Sequence, residues 1–146
     1  MKLPAAMKGC RGAVLDTMFL IYLLEDHPRF GALCEWLLQR AAAGDYSGVV
    51  TPITMAEILV KPLRAGRSDL GDRYQAAIRN APNVTMCDMT WRTGAMAGAL
   101  RAKYGLPLPD MLQAASAMEH GGVLVTNDCA LKKVEDIRII LLGDLA

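Results

Sequence analysis

The sequence predicts an α/β fold in which a mostly parallel sheet of about five strands is covered by helices on both faces. Short apolar runs alternate with longer segments of helical periodicity along the 146 residues. The apolar runs lack polar alternation, which is typical of strands that are buried on both faces of a parallel sheet. No repeat, low-complexity segment or linker interrupts this pattern. We therefore expect one domain over residues 1–146, with its core in about 12–142.

Each predicted strand is a run of small or branched apolar residues that stops at a polar or turn residue. The run Ala13-Val14-Leu15 ends at Asp16, and Val123-Leu124-Val125 follows a Gly121-Gly122 turn. The predicted strands cover residues 13–15, 48–51, 84–87, 123–125 and 138–142. Because helical segments separate these runs, we expect parallel pairing through crossover connections.

The helices are predicted from apolar residues near a 3.6-residue period and from start and stop signals. Gly44 ends the second helix, and Pro52 suits the first turn of the third. The segment 105–109, which contains two prolines, is expected to be a rigid loop before a helix that opens at Asp110. The predicted helices cover residues 19–25, 29–43, 53–63, 69–80, 90–104 and 110–119, and a short helix follows Asp128.

The composition excludes several classes of protein. Hydrophobic residues make up 53% and charged residues 21%, which is typical of a globular chain and not of a disordered one. The longest apolar-rich run, 17–24, is too short to span a bilayer, and the first twelve residues do not resemble a signal peptide. We therefore expect a cytoplasmic protein. The four cysteines form no C-x-x-C pair and are expected to be buried free thiols, and both histidines are expected at the surface.

Four acidic residues stand where a parallel sheet would bring them to one edge. Asp16 follows the first strand and Asp128 the fourth, Glu57 lies early in the helix after the second strand, and Asp110 opens the helix before the fourth. Ligands of open α/β sheets bind outside the carboxyl ends of the strands. Carboxylates gathered there would repel one another unless a cation neutralised them, and their oxygens suit magnesium or manganese. The pattern predicts a metal site where water could attack a phosphate.

Each acid also has a purely structural alternative. Asp16 and Asp128 could cap the helices that follow them, and Asp110 could cap its own helix, with Gln113 completing a capping-box-like pair. Thr54 and Glu57 match the S/T-x-x-E pattern of a capping box. The sequence by itself leaves both interpretations open for all four acids.

The ordered set of motifs around these acids resembles the PIN-domain ribonucleases, and within them the VapC toxins of type II toxin–antitoxin pairs. The motifs are Val14-Leu15-Asp16-Thr17, Thr54-Met55-Ala56-Glu57-Ile58-Leu59, Leu108-Pro109-Asp110-Met111-Leu112-Gln113-Ala114-Ala115 and Leu124-Val125-Thr126-Asn127-Asp128. The resemblance covers residues 12–142 and implies a three-layer α/β/α fold with sheet order 3-2-1-4-5. It implies a metal-dependent endoribonuclease using Mg²⁺ or Mn²⁺. The implied catalytic and metal-binding residues are Asp16, Glu57, Asp110 and Asp128, and the implied supporting residues are Thr126 and Asn127.

The resemblance further implies an RNA substrate, a small cognate antitoxin and a homodimer. The candidate RNA contacts are Arg64, Arg67, Arg73, Lys132 and Lys133. Trp36, Trp91 and Tyr104 could stack on bases, but their helical positions favour core or half-core roles. The apolar face formed by Phe19, Ile21, Tyr22 and Leu23 is likewise expected in the core.

One departure from the family pattern is Met18, which stands two places after Asp16 where a small polar residue is frequent. Two alternative functions remain open. A PIN-like scaffold with a weak or absent site would bind RNA or protein without cutting. A haloacid-dehalogenase-type phosphohydrolase also has an Asp after its first strand, but it needs an acid or Thr at the position of Met18.

Overall fold

The computed structural model describes residues 1–146 and contains one five-stranded parallel sheet with helices on both faces. The strands are β1 (Ala13–Leu15), β2 (Gly48–Val50), β3 (Val84–Met86), β4 (Val123–Thr126) and β5 (Arg138–Leu141). The helices are α1 (Thr17–Leu24), α2 (Gly31–Ala42), α3 (Pro52–Arg64), α4 (Ser68–Arg79), α5 (Trp91–Tyr104), α6 (Leu108–Glu119) and α7 (Leu142–Leu145), and Cys129–Lys133 form a 3₁₀ helix. No helix has the length and hydrophobicity that crossing a membrane requires.

The strand order is β3-β2-β1-β4-β5 with every pair parallel, so the order that the resemblance implied is confirmed. The central strand β1 pairs with β2 on one side and β4 on the other, with Val14 opposite Val49 and Leu124. The topology reverses between β1 and β4. The residues that follow these two strands therefore meet at one edge, where the backbone N–H of Asp16 donates to the carbonyl of Val125 at 2.9 Å.

Two apolar clusters form the core, one on each face of the sheet, because alternate residues of a strand point to opposite faces. Leu15 belongs to the cluster that contains Phe19 of α1 and Leu37 of α2. Its neighbour Val14 belongs to the cluster that contains Met111 of α6. This arrangement is the predicted three-layer fold, and each face buries an aliphatic strand surface against helices.

The boundaries of several elements differ from the sequence prediction. The helix α6 begins at Leu108, so the predicted loop 105–109 is wrong over its last two residues. Pro109 is tolerated there because the first-turn N–H groups of a helix have no partner within that helix. Gly105 does end α5, in the left-handed conformation at φ 71°. The short helix α7 was not predicted, since four residues are too few to show helical periodicity.

Three predictions of burial are wrong in part. Trp91 is 78% exposed, so it is neither core nor half-core, whereas Trp36 and Tyr104 pack against the two clusters as expected. Among the free cysteines only Cys34 is buried, and Cys129 is exposed. His27 is half-buried, and its Nδ1 accepts the backbone N–H groups of residues 29 and 30. A residue's position in a helical or apolar segment therefore does not by itself show whether its side chain is buried or faces the solvent.

Candidate active site

Asp16 is a buried carboxylate that three donors hold in place at the end of β1. It is only 8% exposed. Its Oδ1 accepts the backbone N–H of Thr17 at 2.9 Å and the side-chain amide of Gln113 at 3.1 Å. Its Oδ2 accepts the hydroxyl of Thr126 at 2.7 Å. Asp16 thus caps α1, as the structural alternative proposed, and the same carboxylate is oriented by α6 and β4.

Asp110 is the acid on which the charges of the other three candidate acids act. It lies in the first turn of α6 and does not cap it, since that position belongs to Pro107. Burial, and after it the charges of Asp16, Asp128 and Glu57, together raise the pKa of the Asp110 carboxyl to about 6. Its oxygens accept no hydrogen bond from the protein. Nothing in the fold therefore compensates the cost of ionising Asp110.

Glu57 lies on the exposed side of α3, one turn after the residues that begin the helix. Its Oε1 accepts the hydroxyl of Thr17 at 2.7 Å. The N-cap of α3 is Thr51, so Thr54 and Glu57 do not form the capping box that their spacing suggested. For Glu57, as for Asp110, the structure excludes the capping role.

Asp128 is exposed and caps the 3₁₀ helix that follows β4. Its Oδ1 accepts the backbone N–H of Ala130 at 2.9 Å, and its own N–H donates to the hydroxyl of Thr126 at 3.1 Å. Thr126 therefore contacts both acids at the switch point, Asp16 through its hydrogen and Asp128 through its oxygen. The second oxygen of Asp128 accepts no hydrogen bond from the protein.

The donor set suits a hard divalent ion, although the side chains are not arranged around one. No group of three or more His, Cys, Asp or Glu side chains is placed to hold a metal ion. The charges of Asp16, Asp128 and Glu57 nevertheless each raise the pKa of Asp110, so all three act on this one carboxyl. Glu57 and Asp128 are exposed and each keeps one oxygen without a partner, so rotation of these side chains is sterically open. Oxygen-only ligands of this kind fit magnesium or manganese.

Buried polar residues beside the acids make contacts that the sequence did not predict, since Gln113 and Thr54 were expected only as partners in helix capping. Gln113 is 1% exposed, and its Nε2 donates to Asp16 and, at 2.7 Å, to the hydroxyl of Thr54. Its Oε1 accepts the hydroxyl of Thr51 at 2.5 Å. One signal existed: Gln113 is the polar residue inside an otherwise apolar stretch of α6, and it lies one turn after Asp110.

The departure at Met18 has no consequence for the support of Asp16. Met18 is 40% exposed, and the hydroxyl and amide groups that surround the carboxylate come from other elements. Asn127, which the resemblance implied as a supporting residue, makes no hydrogen bond to the four acids. Its Nδ2 donates to the hydroxyl of Tyr22 at 3.1 Å and its Oδ1 accepts the N–H of Gly143 at 2.9 Å. Asn127 thus ties α1 to α7.

The five candidate RNA contacts are all exposed, but three of them pair with acids. Arg67 donates two parallel hydrogen bonds to Asp69, each 3.0 Å long, and Arg73 approaches the same carboxylate at 3.5 Å. Lys132 lies 3.7 Å from Asp144. The two without an ion pair are Arg64 and Lys133. A groove of about 450 Å³ contains Arg67, and an adjoining hollow that shares Glu25, Lys61, Pro62 and Tyr74 with it reaches Glu57.

Comparison with known proteins agrees with this fold. A family model described as the PIN domain matches residues 13–137. A VapBC2 structure from Rickettsia felis, bound to a DNA fragment from its promoter, has a TM-score of 0.73 at 18% identity and covers 89% of this chain and 98% of its own. A toxin–antitoxin complex from Klebsiella pneumoniae has a TM-score of 0.69 at 20% identity and covers 89% and 97%.

A third similar structure is a DNA-bound VapBC from Salmonella typhimurium, with a TM-score of 0.66 at 20% identity and coverage of 91% of this chain and 98% of its own. No curated protein sequence matches the chain. At these identities the structural likeness establishes the fold, while the family model covers most of the chain.

Proposed function

Because the chain belongs to the PIN-domain family, we propose that it is an endoribonuclease that depends on Mg²⁺ or Mn²⁺. The observation that carries the proposal is the half-buried Asp110, whose ionisation is opposed by burial and by the three other acids of the set. A fold that gathers carboxylates without a compensating Lys or Arg gains most from a bound cation. The family match does not support the haloacid-dehalogenase alternative.

Four side chains would hold the ion: Asp16, Asp110, Asp128 and Glu57. When bound, a divalent ion supplies Lewis acidity, which makes water a better nucleophile and offsets the charge that grows on a phosphate. The chain orients the ligands, since the hydrogen bonds of Gln113 and Thr126 hold both oxygens of Asp16. Asp110 must lose its proton before it can act as a ligand, so binding should tighten as the pH rises through about 6.

We propose a small antitoxin as the partner of this site and a homodimer as the assembly, in a cytoplasm that keeps the cysteines reduced. The three similar structures are VapBC or toxin–antitoxin complexes. An arginine from such a partner would fit the carboxylates through two parallel hydrogen bonds and would neutralise them as the ion does. Inhibition and metal binding would then compete for the same oxygens.

The test is incubation of the purified protein with total RNA, with and without manganese, followed by mapping of the cut ends. Cleavage should require the metal and stop with EDTA. Asp16→Asn and Asp110→Asn should abolish it, while Asp72→Asn, which changes an exposed acid outside the set, should cut like the wild type. Full activity in both site variants would contradict the proposed mechanism.

A second candidate function is a PIN-like scaffold that binds RNA or protein without cutting. It is favoured by the absence of any three side chains already placed around a metal. The same experiment separates the two candidates. A wild type that retards labelled RNA in a gel but yields no cut ends at any manganese concentration would establish the scaffold.

A further inference from the structure

A chain of hydrogen bonds runs from Gln113 to Glu57 through two buried hydroxyls. Gln113 Nε2 lies 2.7 Å from Thr54 Oγ1, which lies 3.2 Å from Thr17 Oγ1, which lies 2.7 Å from Glu57 Oε1. Gln113, Thr54 and Thr17 are all buried, and only the final carboxylate is exposed. A network of buried polar groups whose hydrogen bonds are all satisfied makes the helices and strands that carry it more rigid.

The direction of this chain follows from the chemistry of its ends. A carboxylate can only accept hydrogen bonds, so the Thr17 hydroxyl donates its single hydrogen to Glu57. Towards Thr54, the Thr17 oxygen can therefore only accept. The Thr54 hydroxyl then donates its hydrogen to Thr17 and accepts a hydrogen bond from the side-chain amide of Gln113. The amide of Gln113 must also face Asp16 with nitrogen, because Asp16 is an acceptor too. The donors from Gln113 to Thr17 therefore all point towards a carboxylate. Reversing any one of these hydrogen bonds would leave another group of the chain without its partner.

The same amide joins three elements of the site. Gln113 lies one turn after Asp110 on α6, and its Oε1 accepts from Thr51, which caps the start of α3. Its Nε2 reaches Asp16 at the end of β1. One side chain thus connects the helix that carries Asp110, the helix that carries Glu57 and the strand that carries Asp16.

We propose that Gln113 is a positioning residue which, directly and through the relay Thr54–Thr17, sets the orientation of Asp16 and Glu57 for metal binding. This inference rests on the proposed metal-dependent function. Outer partners that orient metal ligands typically contribute 10- to 100-fold in metal affinity or activity. We therefore expect Gln113→Met, which keeps the length and removes the amide, to weaken manganese binding by about 10- to 100-fold.

The experiment measures manganese affinity by titration calorimetry or by the electron paramagnetic resonance signal of the free ion, together with the melting temperature without metal and RNA cleavage. The matched control is Ser116→Ala on the same helix, because the Ser116 hydroxyl is buried and has no hydrogen-bond partner. It should keep wild-type affinity. A lowered melting temperature with unchanged manganese affinity in Gln113→Met would mean a purely structural role and would overturn the proposal.

A second pair of variants decides the matter if Gln113→Met does not fold. Thr17→Val removes the last donor of the relay, and Thr17→Ser keeps it. Weaker manganese binding in the first variant and its recovery in the second support the relay, and equal binding in both overturns it. Where Gln113→Met folds, we also expect the double variant with Thr17→Val to lose less manganese affinity than the product of the two single losses. The reason is that both substitutions interrupt the same relay.

The outcomes for the relay and for the proposed function are distinguishable. If the wild type cuts RNA and Gln113→Met binds manganese as tightly as the wild type, the nuclease function is supported and the role of the relay is contradicted. If the wild type binds manganese but never cuts RNA, the nuclease function is contradicted. The manganese affinities of the variants then test the relay by themselves. A wild type that binds no manganese overturns both.

Discussion

Asp110→Asn should stabilise the metal-free protein near neutral pH, although it removes a residue proposed for the active site. In the folded protein the pKa of Asp110 is raised from its ordinary value of 3.8 to about 6, first by burial and then by Asp16, Asp128 and Glu57. Between these two values the folded protein binds more protons than the unfolded chain. The contribution of this group to stability therefore falls as the pH rises through that window and stays low above it.

The magnitude follows from the same two pKa values. Their difference corresponds to about 3 kcal/mol at 1.36 kcal/mol for each pH unit. Because Asp110 is only half-buried, solvent screens part of this penalty, and about 1–2 kcal/mol is a realistic gain. Asparagine cannot ionise, so the gain should be complete at pH 7.5 and absent near pH 4.

The assay is urea denaturation of both proteins in EDTA at several pH values from 4 to 8. Asp72→Asn is the control, because this exposed carboxylate of α4 forms no ion pair and lies outside the set. Adding manganese should reverse the order, since an ion bound only by the folded state stabilises the wild type more than the variant. Equal stability of the wild type and Asp110→Asn at pH 7.5, or a gain that persists unchanged at pH 4, would mean that ionised Asp110 does not destabilise the fold.

Two further predictions concern the rest of the fold. Iodoacetamide should label the exposed Cys129 first and leave Cys34 unmodified in the native protein, because burial raises the pKa of the Cys34 thiol to about 12; equal labelling by mass spectrometry would contradict this. Gly12→Ala should cost about 1–3 kcal/mol, because the new β-carbon would lie 2.7 Å from Cβ of His120. Gly94→Ala, in α5 with nothing within 4 Å, should instead stabilise by about 0.5–1 kcal/mol in thermal unfolding.

The strands and most helices were predictable from the sequence to within one or two residues, because buried parallel strands are short continuous apolar runs bounded by polar residues. Strand order was a different matter. Nothing in the apolar runs shows that β1 lies between β2 and β4, and only the motif resemblance implied it. The start of α6 was misplaced because proline signals both loops and first turns of helices.

For the candidate site, the sequence predicted which acids would follow which strands, but not what surrounds them. The contacts of Gln113 were not predicted because its partners, Asp16 and Thr51, lie 97 and 62 residues away along the chain. The exposure of Trp91 was missed because a helix of small residues shows no clear apolar face. Local pattern predicts elements, while the partners of a polar side chain depend on contacts between distant segments.

The proposed metal site is tested most directly by a crystal structure of the wild type soaked in manganese, with anomalous data collected at the manganese edge. We expect an anomalous peak within about 2.0–2.6 Å of carboxylate oxygens from Asp16, Asp110 and Asp128, with Glu57 contacting the ion directly or through water. The peak should vanish in Asp110→Asn crystals. Density for the ion at another place, or none at millimolar manganese while the four side chains stay apart, would contradict the proposed metal site.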